Sequence, residues 1–229
     1  MDVTTTAAGY AEAYVAAHSL QTGHRHGTSP DLCRRSDGLS RALAFSDTWD
    51  REHELHIASL AAGLFRDLRP LHGLGEEALM LLDCASRIAD DRSCDVRLLV
   101  ETRLHPLLDV HGVQALSFRE VTIVTAIARH GAGSPLPERD RSYWHLADRD
   151  RDTVRWCAAI LLTAKGFDAD QRGTVRSLLA AQEGDELVIV AGCEGDADFN
   201  VAEGTRAAAT LAWKTRARLR VVEIGGFAA

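Results

Sequence analysis

Apolar residues recur at three- and four-residue spacing through most of this chain. The strongest stretch, about 49–68, places Leu55, Ile57, Leu60, Ala61, Leu64, Phe65 and Leu68 on a broad apolar face. This spacing predicts a helix, capped by Asp47 or Asp50 and ended by Pro70 and Gly73. Further helices are predicted at 7–20, 37–45, 75–89, 95–111, 117–130 and 150–166. Glu76 and Glu77 suit the positive start of one of them, and Ser117 followed by Glu120 is a capping-box signature for another. Segments 21–37 and 131–137, rich in Gly, Ser and Pro, read as loops. After 180 the pattern changes. Residues 186–191 and 197–201 read as two strands joined by 192–196, then an Ala-rich helix at 202–217 and a third strand at 218–224. The expectation is a mainly α protein in three parts. An N-terminal helix and linker occupy 1–37, a helical domain 38–180, and a small α+β unit (β-hairpin, helix, strand) 181–229.

Composition narrows the function classes. With 229 residues, 46% of them apolar, the chain can bury one large core or a core with a small satellite. Its formal net charge of −7 argues against a general nucleic-acid binder, whose affinity rests on neutralising phosphates. A local basic groove remains compatible with it, because the field that matters is that of the cleft. Cys33, Cys84, Cys94, Cys157 and Cys193 are scattered without a Cys-x-x-Cys pair, as expected in a reducing compartment. Neither a signal peptide nor an apolar run of membrane-spanning length is visible, so a soluble, cytoplasmic protein is expected.

The order of several landmarks is specific. His53 opens a helix containing Ile57-Ala58, Leu60-Ala61 and Leu64-Phe65; Leu71-His-Gly-Leu74 follows, then the helix Leu81 to Asp90 and His105. Ser117 with Glu120, Ile127-Ala-Arg-His130 before Pro135, Asp168, and Gly184-Asp-Glu-Leu-Val-Ile-Val190 complete the series. Over about residues 38–224 this succession resembles the C-terminal half of the Ppx/GppA phosphatases, the exopolyphosphatase and guanosine-pentaphosphate phosphohydrolase family. The resemblance implies an HD-like helical bundle followed by a small α+β cap. It also implies that the family's phosphoanhydride chemistry, attributed to two actin-like N-terminal lobes, has no counterpart among the roughly forty preceding residues.

The HD pattern further implies a metal site made from a helix-opening His, a His-Asp pair and a later Asp. Here the positions carry His53, Ala89-Asp90 and, in the last place, Lys165. A methyl in place of an imidazole removes a ligand, and an ammonium beside the cation repels it. The expectation is a dismantled metal site with no resident cofactor, His53 and Asp90 being the residues that would hold a Mg or Mn ion if one bound. Lys165 has two readings: contact with a phosphate, or a bridge to Asp90 in place of the metal. His53 and His56, three apart, could both face a metal, with His56 otherwise at the surface. His105, Arg129, His130 and Arg87 are candidates to line a phosphate groove, since guanidinium forks match phosphate oxygens. For each, packing or surface solvation is the plain alternative. His24 and His26 read as loop residues, and the alternating run Arg149–Asp152 as local ion pairs.

Three functions follow. The first is a non-catalytic binding or regulatory module for polyphosphate, guanosine tetra- or pentaphosphate, or a protein partner. The second is a metal-dependent phosphohydrolase working from a site rebuilt around His53, Asp90 and His105. The third is an assembly role, including a homodimer, through the edge of strand 218–224.

Overall fold

The computed structural model of the chain describes residues 51–88, 116–133 and 141–225. This part is mostly helical with a small three-stranded sheet. The order is α1 (Arg51–Asp67), α2 (Arg69–His72), α3 (Glu76–Ser86), α4 (Phe118–Gly131), α5 (Arg141–Trp144), α6 (Asp148–Gly166), β1 (Val175–Glu183), β2 (Glu186–Cys193), α7 (Asp198–Thr215) and β3 (Arg218–Gly225). The helices expected at 7–20, 37–45 and 95–111 lie outside the described residues, as do His24, His26, Cys33, Ala89, Asp90, Cys94 and His105. No described helix is long and apolar enough to cross a membrane.

On α1 the buried positions are His53, Ile57, Ala58, Leu60, Ala61, Leu64 and Phe65, the stripe a helical period dictates. Leu55 does not join it. Two residues from Ile57 is about 200° around a helix, and Leu55 is 40% exposed. Pro70 does not stop the helical path. It sits in the first turn of α2, where a missing N–H costs nothing, and Gly73 closes that turn at φ 63°. The capping box forms as expected: the Glu120 N–H donates to Ser117 Oγ (3.3 Å), and the Ser117 N–H donates to the Glu120 carboxylate (2.7 Å).

The Arg149–Asp152 run lies inside α6. Arg151 does pair locally with Asp148, but Asp150 makes a tertiary contact. It is buried, and its two oxygens accept the Nε–H and Nη2–H of Arg119 at 2.7 and 2.5 Å, while Arg119 Nη1–H reaches Glu77 at 2.8 Å. The hydrogen bonds to Asp150 and then Glu77 push the Arg119 guanidinium above its ordinary pKa. One arginine thereby ties together the first turns of α3, α4 and α6.

The sheet differs from the expectation in two ways. The hairpin is made by β1 and β2 across Gly184 (φ 60°) and Asp185, with Glu183 opposite Glu186. Val175–Glu183, for which the sequence predicted no strand, is therefore paired, and the expected boundary between 180 and 181 falls inside it. Residues 197–201, expected as a strand, open α7 instead, with Val201 N–H donating to Ala197 O at 2.8 Å. A strand would put Phe199 and Asn200 on opposite faces with Phe199 inward; Phe199 is 58% exposed and Asn200 fully buried. From α7 the chain returns as β3, which runs parallel to β2 as the third strand in the order β1-β2-β3. Sheet and helices share one hydrophobic cluster, in which Leu64, Phe65, Ile127, Ile160, Leu178, Ile189 and Leu211 all take part.

Candidate functional site

The site is built where α6 ends. Phe167 is fully buried against α7, so the chain leaves the helix pinned, and Asp168 follows at 1% exposure. The loop from Asp168 to Thr174 is then shaped by its own polar groups. Asp168 Oδ1 accepts the Gly173 N–H (2.7 Å), and the Gln171 N–H donates to the Asp168 carbonyl (3.0 Å). Gln171 and Gly173 both take left-handed backbone conformations (φ 61° and 65°), which glycine adopts at no steric cost.

Asn200 of α7 clasps the same loop. Its Oδ1 accepts the Asp170 N–H (3.1 Å), and its Nδ2 donates to Asp170 Oδ1 (2.8 Å) and Thr174 Oγ1 (2.6 Å). Burial works against the Asp170 carboxylate, but the Asn200 amide, the Arg172 N–H and the Arg172 charge outweigh it and hold its carboxyl below the usual range. A buried amide with all these partners satisfied is a rigid brace.

Against this loop α1 brings two histidines. His53, 6% exposed, donates Nδ1–H to Asp168 Oδ2 at 2.8 Å. With the proton on Nδ1, a neutral ring carries its lone pair on Nε2. His56 is half-buried rather than at the surface, and its Nε2–H donates to the Val175 carbonyl at 2.9 Å. The two histidines that could have shared a metal instead have separate partners, one on each side of the loop.

A cleft of about 550 Å³ opens over this arrangement. His53 and Asp168 line it together with Lys165 and Leu162 of α6, Glu203, Arg206 and Thr210 of α7, Gln171 of the loop, and Gly131 and Ala132 at the end of α4. Arg206 Nη1–H donates to Glu203 at 2.6 Å across one turn of α7. Small residues let the walls approach. A Cβ on Gly204 would stand 2.4 Å from the Phe167 ring, and one on Gly166 would stand 2.8 Å from Ala207 Cβ, so α6 and α7 cross almost backbone to backbone.

Of the residues singled out in the sequence, the structure brings His53 and Lys165 into one cleft. Arg87 is engaged elsewhere, its Nε–H and Nη2–H donating to the two Asp83 oxygens at 3.2 Å each. Arg129 is exposed and His130 buried on the last turn of α4; neither lines the cleft, although the next two residues do. Asp90 and His105 lie outside the described residues. The carboxylate that meets His53 is Asp168, three residues beyond Lys165, where the sequence reading had placed the pattern's last ligand position. In the sequence Asp168 was visible only as a landmark of the family resemblance, not as a partner of His53. Arg206 and Glu203 carried no sequence signal, since a charged pair on an Ala-rich helix reads as solvated surface. No family model and no curated protein matches the chain.

Proposed function

We propose that this chain is a binding or regulatory module of Ppx/GppA-like, HD-like descent that takes phosphorylated ligands, among them polyphosphate or guanosine tetra- and pentaphosphate, in the cleft between α6 and α7. The observation that carries the reading is the convergence of Lys165, Arg206 and the Asp168-oriented His53 on one cavity. An ammonium on one helix and a guanidinium on the next can engage a phosphoryl group from two sides. Both oxygens of Asp168 accept hydrogen bonds, from His53 and from Gly173, which reduces their repulsion of an incoming anion. A cytoplasmic setting belongs to the proposal, in keeping with the free, buried thiols of Cys84, Cys157 and Cys193.

Calorimetry with polyphosphate and guanosine tetraphosphate tests it. Binding is expected to weaken with salt, and Lys165→Met is expected to reduce affinity at least about tenfold, or about 1.4 kcal/mol. Equal binding by Lys165→Met and wild type, or none by either, removes the reading.

A second reading, a metal-dependent phosphohydrolase, draws on the same His53–Asp168 contact, because a carboxylate that orients an imidazole also prepares it to hold a divalent ion such as Mg or Mn. Two features weigh against it. The oxygens of Asp168 already have partners, and the Lys165 ammonium stands in the cleft a cation would enter. Phosphoanhydride turnover with added Mn or Mg that disappears in His53→Ala would reverse the order of the two readings.

A further inference from the structure

Among the described residues, α7 carries two exposed large apolar side chains, Phe199 at 58% and Trp213 at 82%. The others, Leu55, Leu71, Phe118 and Trp144, each stand on a different helix. Between the two aromatics, Ala202, Arg206 and Ala209 complete a row spaced three, four, three and four residues apart, and all five are exposed. At about 100° per residue the row occupies an arc of about 80°, the narrow seam along which two helices pair. The core-facing side of α7, with Asn200, Gly204, Ala208 and Leu211, is turned away from it.

Two features of the row name its occupant. It is centred on Arg206, with Phe199 and Trp213 placed symmetrically before and after it. A second α7 laid antiparallel about a twofold axis at Arg206 therefore sets Phe199 against the second copy's Trp213 at both ends, as a self-complementary interface requires. The ends also carry opposite charge. Asp196 and Asp198 flank Phe199, Arg216 follows Trp213, and all three are exposed with no ion pair among the described residues. Antiparallel packing brings Arg216 to the second copy's Asp196 and Asp198 at each end, whereas a lipid surface would meet acid at one end and base at the other. Arg206, which also lines the cleft, would meet its own counterpart at the axis. Each brings its counter-charge with it, since Glu203 accepts its Nη1–H at 2.6 Å. A polar residue at one seam position fixes register. We propose that this face is the interface of a homodimer, α7 pairing antiparallel with α7 of a second copy about Arg206. Four aromatic side chains and the small residues between them bury on the order of 1,000 Å², the low end for a specific interface, so the dimer is weak and concentration-dependent.

Sedimentation equilibrium of the full chain from about 5 to about 500 µM tests this. The weight-average mass is expected to rise from 24.9 kDa toward twice that value. Trp213→Ser and Phe199→Ser, both at exposed positions, should each weaken association at least about tenfold while circular dichroism stays unchanged. Register is read by oxidative cross-linking against wild type. Arg206→Cys meets itself at the axis and should be trapped as a linked dimer, whereas Ala202→Cys lies about 12 Å from its counterpart along the paired helices and should not. A mass of 24.9 kDa throughout overturns the inference, and binding to phosphatidylcholine vesicles would then give the face to a lipid surface. A dimer that both serine variants leave intact, or one that cross-links as readily through 202 as through 206, overturns it equally and moves the interface elsewhere.

Discussion

His72 is held as a neutral imidazole by two bonds of opposite sense. Its Nε2–H donates to the Phe65 carbonyl (2.8 Å), and its Nδ1 accepts the Leu74 N–H (2.9 Å). The ring lies between Phe65 and Trp156, at centroid distances of 4.4 and 5.5 Å, with the Lys214 ammonium 4.5 Å from the indole centroid. Burial lowers the His72 pKa, and this outweighs the bond to Phe65, which acts the other way. The folded chain therefore binds this proton less readily than the unfolded chain does. The stability involved is fully present above the unfolded value of about 6.5 and is lost as pH falls through the folded value. Wild type is expected to lose Tm more steeply than His72→Asn on going from about pH 7 to about pH 5. Asparagine can still accept the Leu74 N–H but does not titrate. Parallel Tm curves for the two proteins would rule the account out. At this scale the sequence was legible for residues placed by period, such as Ile57 and Leu64, and for the Ser117–Glu120 cap. It was not legible for Asp168 or Asn200, because their partners lie 115 and 30 residues away, on other elements. Short-range patterns carry no trace of such pairings.

Gly166 and Gly204 set how closely α6 and α7 can approach, and Lys165 and Arg206, next to or near them in sequence, both line the cleft. Gly204 lies mid-helix with ordinary backbone angles, so alanine would improve helix propensity there. Its Cβ, however, would stand 2.4 Å from the ring of Phe167, which at 0% exposure has nowhere to turn. A clash this deep belongs at the upper end of the overpacking range of about 1–3 kcal/mol, and against a propensity gain of about 1 kcal/mol it leaves Gly204→Ala destabilised by about 2 kcal/mol. Urea denaturation measures this, and an unchanged or raised midpoint would show that the crossing is looser than described. The same element level explains where the sequence misled. Val175–Glu183, with Leu-Leu-Ala-Ala-Gln-Glu, has helix-prone composition, yet it pairs along β2, and its Ala180 N–H donates to Asp67 Oδ2 at the end of α1 (3.0 Å). Tertiary pairing overrides propensity most readily in strands. Conversely, the five residues from Ala197 to Val201 alternate like a strand but are too few to separate a period of two from a period of 3.6. Longer patterns did better: α1, α3, α4 and α6 lie where their periodicity placed them.

For the molecule as a whole, the decisive feature among the described residues is that one face of the small sheet packs into the helical core. Leu178, Ala180, Leu187, Ile189 and Ala191 project from β1 and β2 into the cluster that also holds Leu64, Ile160 and Leu211. The loop that links α6 to β1 is tied to α1 by His53 and to α7 by Asn200, and His56 ties α1 to the first residue of β1. Opening the sheet would expose apolar surface on α1 and α7 and break the His53–Asp168 contact at the cleft. The helical body and the sheet should therefore unfold as one cooperative unit, although the change of sequence pattern near 180 reads as a boundary between two. Hydrogen exchange across a urea series measures this directly. Amides of Leu187–Ala191 in β2 and of Cys157–Leu161 in α6 are expected to lose protection with the same midpoint and the same slope. If β2 opened at distinctly lower urea while α6 stayed protected, the sheet would be a separately stable cap. The cleft would then lose its Asp168 wall well before the bundle melted, and ligand binding would fail at the lower midpoint. Under the single-core arrangement, binding and global stability disappear together.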